Sequence, residues 1–269
     1  GYCLTTDTHL ETAVWFVGAP GSGKSTILEG FMALVGDMTL TLGLAQIEAN
    51  PRFALSDVPG KRLIISTEQP SAYVKTTSIL NSLISGEPIT VEQKFKEAYN
   101  YNPVAKVVWA MNQLPRIGSV HDGLFRRVKV VEFDQIPKEK RDPHVKETIK
   151  TEGAGILNWA LDGLDRLRYN GKFTVSKGIE QNSEEFQRDA DVPQAFINDW
   201  CEISLEHEIQ ASVLYNYYKL WCKENGHYHQ SKRSVSKDWK RLGHPPIDRQ
   251  DARYYRGLRI QPKYVKLFG

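Results

Sequence analysis

At 269 residues, with 41% hydrophobic and 25% charged side chains, the chain has the composition of a folded protein with a sizeable core, which excludes a disordered or fibrous class. No apolar run approaches the ~18 residues a membrane span needs, no signal peptide opens the sequence, and the cysteines Cys3, Cys201 and Cys222 are too scattered for a disulfide framework, as in a reducing compartment. The net charge of +3 hides a segregation: residues 229–269 carry eleven Lys and Arg against three Asp, a charge of +8 that leaves −5 for the rest and gives the C-terminal end the electrostatics of a polyanion binder.

The length predicts one large domain and a small one. Residues 13–17 (AVWFV) read as a buried strand that runs into a glycine-rich turn, and Ile27, Leu28, Phe31 and Leu34 give a helical pattern after it. Further buried strands are predicted at 62–67 (RLIIST), 106–111 (KVVWAM) and 128–133 (VKVVEF), with helical stretches between them, the mark of an α/β fold with a mainly parallel sheet. From Asp142 to Tyr169 the pattern is helical, interrupted near Gly153 and Gly155, with Ile156, Trp159, Ala160, Gly163 and Leu167 on one face. The polar stretch 176–194 is the candidate boundary. Residues 195–225 then read as two helices, 231–242 as a third, and a Tyr- and Arg-rich segment with strand character closes the chain, which is a winged-helix pattern. The expected divisions are 1–140 for the core, 141–190 for a helical lid and linker, and 191–269 for the winged helix.

The turn after the first strand, Gly18-Ala19-Pro20-Gly21-Ser22-Gly23-Lys24-Ser25, satisfies G-x-x-x-x-G-K-[ST] and lies between strand and helix as a phosphate-binding loop must. Glycines let backbone amides curl around phosphate oxygens, the helix N-terminus adds a favourable dipole, Lys24 can reach the β- and γ-phosphates, and Ser25 can ligate Mg²⁺. With Thr26 these residues form the predicted ATP site. The strand RLIIST runs into Glu68, whose carboxylate would lie beside the loop if the two strands are neighbours, where it could hold Mg²⁺ and polarise water; alone, such a residue also reads as a solvated turn. Asn112 ends the next strand and can hydrogen-bond a γ-phosphate or the lytic water, or simply start a turn. Arg126 and Arg127 stand before the last strand, where an arginine could reach a neighbouring subunit's nucleotide. Lys94 and Lys96 read in isolation as a solvated basic turn. Cys222, His227 and His229 lack the paired C-x-x-C partner that a tetrahedral metal site needs.

The order of these pieces resembles a superfamily 3 helicase, in the phage and plasmid primase-helicase branch similar to the poxvirus primase-helicase. The resemblance runs over nearly the whole chain, from Gly1-Tyr2-Cys3-Leu4-Thr5 through the phosphate loop, Arg52-Phe53-Ala54-Leu55, Gly60 to Glu68, Ser85-Gly86-Glu87-Pro88, Lys94 to Glu97, Asn112-Gln113-Leu114-Pro115 and Phe125-Arg126-Arg127. It implies an AAA+-like fold in which Lys24 and Ser25 belong to Walker A, Glu68 to Walker B, Asn112 to the sensor position and Arg127 to the arginine finger, with Arg126 the alternate. It places Lys94 and Lys96 on a hairpin that grips single-stranded DNA in a central channel. Relatives often carry a second acid beside the Walker B glutamate, whereas Gln69 and Pro70 stand here.

The C-terminal part resembles the winged-helix domain of these helicases, with Lys232, Arg233, Lys237 and Arg241 on its recognition helix and Arg253, Tyr254, Tyr255 and Arg256 on the wing. The implied activity is ATP hydrolysis coupled to 3′ to 5′ translocation on single-stranded and forked DNA by a homo-oligomer, a hexameric ring, in the cytoplasm of a phage's or plasmid's host. Because residue 1 is Gly and not Met, and the phosphate loop begins only seventeen residues later, an upstream part is expected to be missing, and whether it is a primase or polymerase domain stays open. Two rivals stay open: a phosphotransferase acting on a small molecule, and an initiator or loader that uses ATP as an assembly switch without unwinding.

Overall fold

The structure, a computed structural model, describes residues 1–69, 73–74, 77–117 and 123–265; Pro70 and Lys266 of the sequence reading lie outside these. The chain runs β1 (Ala13–Val17), α1 (Lys24–Val35), β2 (Thr39–Thr41), α2 (Leu44–Ala49), α3 (Pro51–Ala54), β3 (Leu63–Ser66), β4 (Tyr73–Val74), α4 (Ser78–Ser85), β5 (Ile89–Val91), β6 (Tyr99–Tyr101), β7 (Lys106–Met111), β8 (Arg116–Ile117), α5 (Leu124–Arg127), β9 (Val128–Glu132), α6 (Val145–Thr151), α7 (Gly153–Asn170) and α8 (Lys177–Ala190). Five of these strands pair in parallel in the order β2-β3-β7-β1-β9.

Every residue of β3 and β7 is buried, as expected of parallel strands covered on both faces. Side chains alternate between those faces. Phe16, Val108 and Ala110 pack with Leu28 and Val35 of α1 on one side. On the other, Trp15 and Trp109, partners in register, stack at 6.0 Å, and Phe186 of α8 closes on Trp15 at 5.4 Å and Phe125 at 5.0 Å. Helix α8 also covers the β9 edge, where the Val130 amide donates to Ser183 Oγ (3.1 Å) and satisfies a backbone group that an open edge would expose.

Three expectations change in this unit. The helical stretch after the sheet breaks at Glu152, beside Gly153 where an interruption was expected, but the side chains that α7 buries are Ala160 and Leu164, and Trp159, grouped with Ala160 on one face, is 74% exposed. The stretch 176–194, read as a linker, is mostly helix, with Phe186 buried. The short strand β2 was not foreseen; β5 and β6 pair as a hairpin around Lys94 and Lys96, where the resemblance implies one.

The chain divides into compact units at Gln187/Arg188. The second contains α9 (Val192–Trp200), β10 (Cys201–Gln210), α10 (Ala211–Glu224), α11 (Lys232–Arg241), β11 (Pro246–Asp248), β12 (Arg253–Ile260) and α12 (Pro262–Val265), with an antiparallel sheet in the order β10-β12-β11. Helix α9 starts at Asp191, whose Oδ1 accepts from the Gln194 amide (3.3 Å), with Pro193 in the first turn. Its core is aromatic: Phe196, Tyr218, Trp221, Trp239 and Tyr255 are all buried together. The segment 201–210, read as part of a helix, is a ten-residue strand; its apolar residues recur at the two-residue period that a helix cannot bury on one face.

All three cysteines are buried free thiols, and burial pushes Cys3 and Cys222 up to about 11 and Cys201 to about 12. No group of three His, Cys, Asp or Glu with metal-ligand geometry occurs among the described residues. Since the thiolate is the reactive form, the native protein should react with no equivalents of a thiol reagent at pH 7 and with three after unfolding in guanidinium. A fast-reacting thiol in the native state would contradict this packing.

Candidate nucleotide and nucleic-acid sites

The phosphate loop follows directly from β1. Gly18, Gly21 and Gly23 all have positive φ (154°, 78° and 91°), and a Cβ on Gly18 would lie 2.3 Å from the Phe133 carbonyl oxygen, so the first turn excludes any side chain. Helix α1 begins at Lys24, with Ser25 and Thr26 half-buried in its first turn. Lys24 is buried, and Nζ donates to Gly18 O (2.6 Å), Ala19 O (3.0 Å) and Ser22 Oγ (3.1 Å). None of those acceptors carries a formal charge, and desolvation holds the ammonium below the ordinary lysine range. A desolvated cation without a carboxylate partner, in a cradle from which side chains are excluded, fits an anionic phosphate chain.

Parallel register brings the other polar residues to the same sheet edge. Val17 pairs with Met111 and with Glu132, and Ser66 pairs with Trp109, so Gly18, Glu68 and Asn112 all follow the carboxyl ends of adjacent parallel strands, where α/β sheets hold ligands. One condition of the sequence reading fails: β3 does not neighbour β1, because β7 lies between them. Asn112 thus follows the strand next to the loop, and Glu68 stands one strand further out. Both are exposed. The Glu68 carbonyl accepts from Ser66 Oγ (2.9 Å), which shapes the turn. Gln69, standing where relatives often have a second acid, turns inward, its Oε1 accepting from the Leu44 amide at the start of α2 (2.9 Å).

The two arginines at the end of α5 differ. Arg127 is turned into the protein, its side chain 8% exposed; it pairs with Glu11 (2.7 Å) and donates to the Gly123 carbonyl (3.0 Å). Arg126, with 70% of its side chain exposed, meets Glu11 only at 3.4 Å. Of the two, Arg126 is the one whose side chain projects into solvent.

A further set of neighbours was missed. The chain leaving β9 lies against the phosphate loop: Gln135 Nε2 donates to Pro20 O (3.5 Å), Ile136 Cδ1 lies 3.5 Å from the position of a Cβ on Gly23, and the Arg141 guanidinium occupies the place of a Cβ on Gly21, held by donation from Nε to Ile136 O (2.9 Å). The polar run around Arg141 gives no local signal of this.

The basic residues expected on nucleic acid separate into free and engaged groups. Lys94 and Lys96 lie on the seven-residue turn between β5 and β6, exposed as the resemblance implies; Lys96 donates to Gln93 Oε1 (2.9 Å). Lys232, Arg233 and Lys237 are exposed on α11, and Arg256 on β12. Arg241 is instead engaged within its unit, 2.7 Å from Asp191 and 3.6 Å from Asp238, and Arg253 binds both oxygens of Asp248. Of the wing tyrosines, Tyr255 belongs to the core and donates to Ser236 Oγ (2.7 Å), while Tyr254 donates to Asp251 and lies under Arg249, so neither is a free stacking surface.

Comparison with known proteins adds to this geometry. Residues 16–127 match a family of unknown function, DUF5906, and residues 188–241 match the poxvirus D5 protein-like family. The candidate helicase L207/L206 of Acanthamoeba polyphaga mimivirus is 24% identical over 251 residues, an alignment covering 83% of this chain and 26% of that protein. This chain therefore spans about a quarter of the curated relative's length. Among solved structures, the NrS-1 C-terminal region shares the fold at a TM-score of 0.54 and 14% identity, over 92% of this chain and 66% of that one. A JCV helicase aligns at 0.40 and 13% identity, over 68% and 52% of the respective chains, too low to bear on the fold. The two family matches thus fall on separate parts of the chain, and the NrS-1 C-terminal region shares its fold.

Proposed function

We propose that this chain is the motor part of a replicative DNA helicase of a phage or plasmid, a ring of identical subunits that hydrolyses ATP at its subunit interfaces and moves along single-stranded DNA to open a duplex. The observation that carries the reading is Lys24, a buried ammonium held in a glycine cradle by uncharged acceptors alone. Amides of the loop from Gly18 to Thr26 bind the phosphates, and Lys24 exchanges its carbonyl partners for β- and γ-phosphate oxygens. Ser25 and Glu68 would hold Mg²⁺, which when bound would supply positive charge to the phosphates. Glu68 also orients the attacking water, and Asn112 hydrogen-bonds it or the γ-phosphate. Arg141, beside Gly21, adds a cation on the same subunit's side of the nucleotide. Arg126, the exposed arginine, serves a neighbouring subunit's site. In this reading helices α6 and α7 act as a lid, and the order α9, β10, α10, α11, β11, β12 supports a winged helix whose recognition helix would be α11, with Lys232, Arg233 and Lys237 toward DNA.

ATP turnover with and without oligo-dT tests the reading, alongside strand displacement from a fork. Turnover should rise when DNA is added, and Lys24→Ala should lower it by on the order of 10²-fold, as for loss of one charge-stabilising donor. A rate indifferent to DNA, with phosphate passed to a small acceptor, would defeat the motor in favour of a phosphotransferase. ATP-dependent assembly without strand displacement would leave an initiator instead.

A further inference from the structure

The turn between β5 and β6 carries a side chain that folding does not account for. Phe95, between Lys94 and Lys96, is fully exposed (105%) and has φ of +62°, one of two non-glycine residues with positive φ among those described. A bulky residue in the left-handed region is strained, and a phenyl ring in water gives up the burial that usually justifies it. The base of the hairpin, in contrast, is fixed. Ile89 and Val91 are buried, Gln93 Nε2 donates to Ser56 O (3.3 Å), and the Gly60 amide donates to the Tyr101 hydroxyl (3.1 Å). The ring is therefore presented by an anchored support and cannot fold back at will.

Charge alone makes this turn a poor grip on a polyanion, since Lys94 and Lys96 are matched in number by Glu92 and Glu97. An aromatic face attracts every base whatever the local net charge. We infer that Phe95 is a stacking platform for a base of single-stranded DNA, seated while Lys94 and Lys96 meet the flanking phosphates. This rests on the motor reading above. It adds base dependence, which contacts to backbone phosphates alone would lack.

The test compares binding of oligo-dT and of an abasic oligonucleotide of equal length and charge to the full chain and to its Phe95→Ala, Phe95→Trp and Phe95→Gly variants. The unaltered protein should prefer oligo-dT by about tenfold or more, the size of one base-aromatic stack. Phe95→Ala should lose the preference with abasic affinity unchanged, and Phe95→Trp should keep it. Phe95→Gly should lose it too while melting at a higher temperature, since glycine accepts the positive φ. Preference for bases retained in Phe95→Ala, or equal binding of both oligonucleotides by the unaltered protein, would overturn the stacking role and leave the motor reading standing. Failure of the unaltered protein to bind oligo-dT at all would remove both.

Discussion

Arg126→Ala is expected to reduce ATP turnover by roughly 10³-fold or more, the range set by loss of an arginine that stabilises phosphoryl-transfer charge from a neighbouring subunit. Its thermal unfolding should fall by no more than about 2–4 °C, because an exposed pair with Glu11 at 3.4 Å contributes at most about 1 kcal/mol. Arg127→Ala should behave in the opposite way. That side chain is buried, pairs with Glu11 and donates to the Gly123 carbonyl, so its removal forfeits a largely desolvated ion pair and a hydrogen bond and should cost about 1–3 kcal/mol of stability, with turnover falling only as far as folding does. A mixing experiment adds a signature special to a shared site. Combined Arg126→Ala and Lys24→Ala proteins should turn over more ATP than either alone, because some interfaces then pair an intact Lys24 with an intact Arg126. Full activity of Arg126→Ala, or no gain on mixing, would refute the trans arginine.

Trp239→Ala is expected to unfold most of the second unit at moderate temperature. Trp239 is fully buried, edge-on to Tyr218 (5.7 Å) and Tyr255 (5.1 Å) and 6.1 Å from Phe196, so alanine leaves a cavity at the centre of the aromatic cluster. The loss should be roughly 3–5 kcal/mol, against a total of roughly 4–12 kcal/mol for a unit of about 80 residues. Its unfolding transition should fall by more than about 12 °C, followed by near-ultraviolet circular dichroism. Trp239→Phe, which refills much of the cavity, should lose far less. A transition unmoved by alanine would mean that this cluster does not organise the unit.

Much of the nucleotide site was legible as sequence, and for a local reason. The phosphate loop needs glycines at positions where φ turns positive, a lysine and a hydroxyl at the helix start, and these are set by eight consecutive residues. The strands β1, β3 and β7 were legible because a parallel strand buried on both faces is written as a nearly uninterrupted apolar run, and β9, at the sheet edge, through its β-branched residues Val128, Val130 and Val131. The segregated charge at the C-terminal end could be read directly from composition. The strand β10 was not legible, since CEISLEHEIQ lies between two helices and its apolar Cys201, Ile203, Leu205 and Ile209 are separated by three glutamates and a histidine, so it lacks the apolar run that marks the buried strands.

What the residues dictate unaided is therefore the set of elements and the loop chemistry, each decided by neighbours within one turn or one strand. Which cation projects and which is sequestered was decided elsewhere. Arg126 and Arg127 look alike in sequence, and only the position of Glu11, beyond the far end of β1, buries one and leaves the other outside. Arg141 meets Gly21, and Arg241 meets Asp191, in the same way. Pairings of this kind depend on how distant segments pack, because a side chain's solvation and partners come from the whole fold, whereas a helix or strand period is carried by the chain itself.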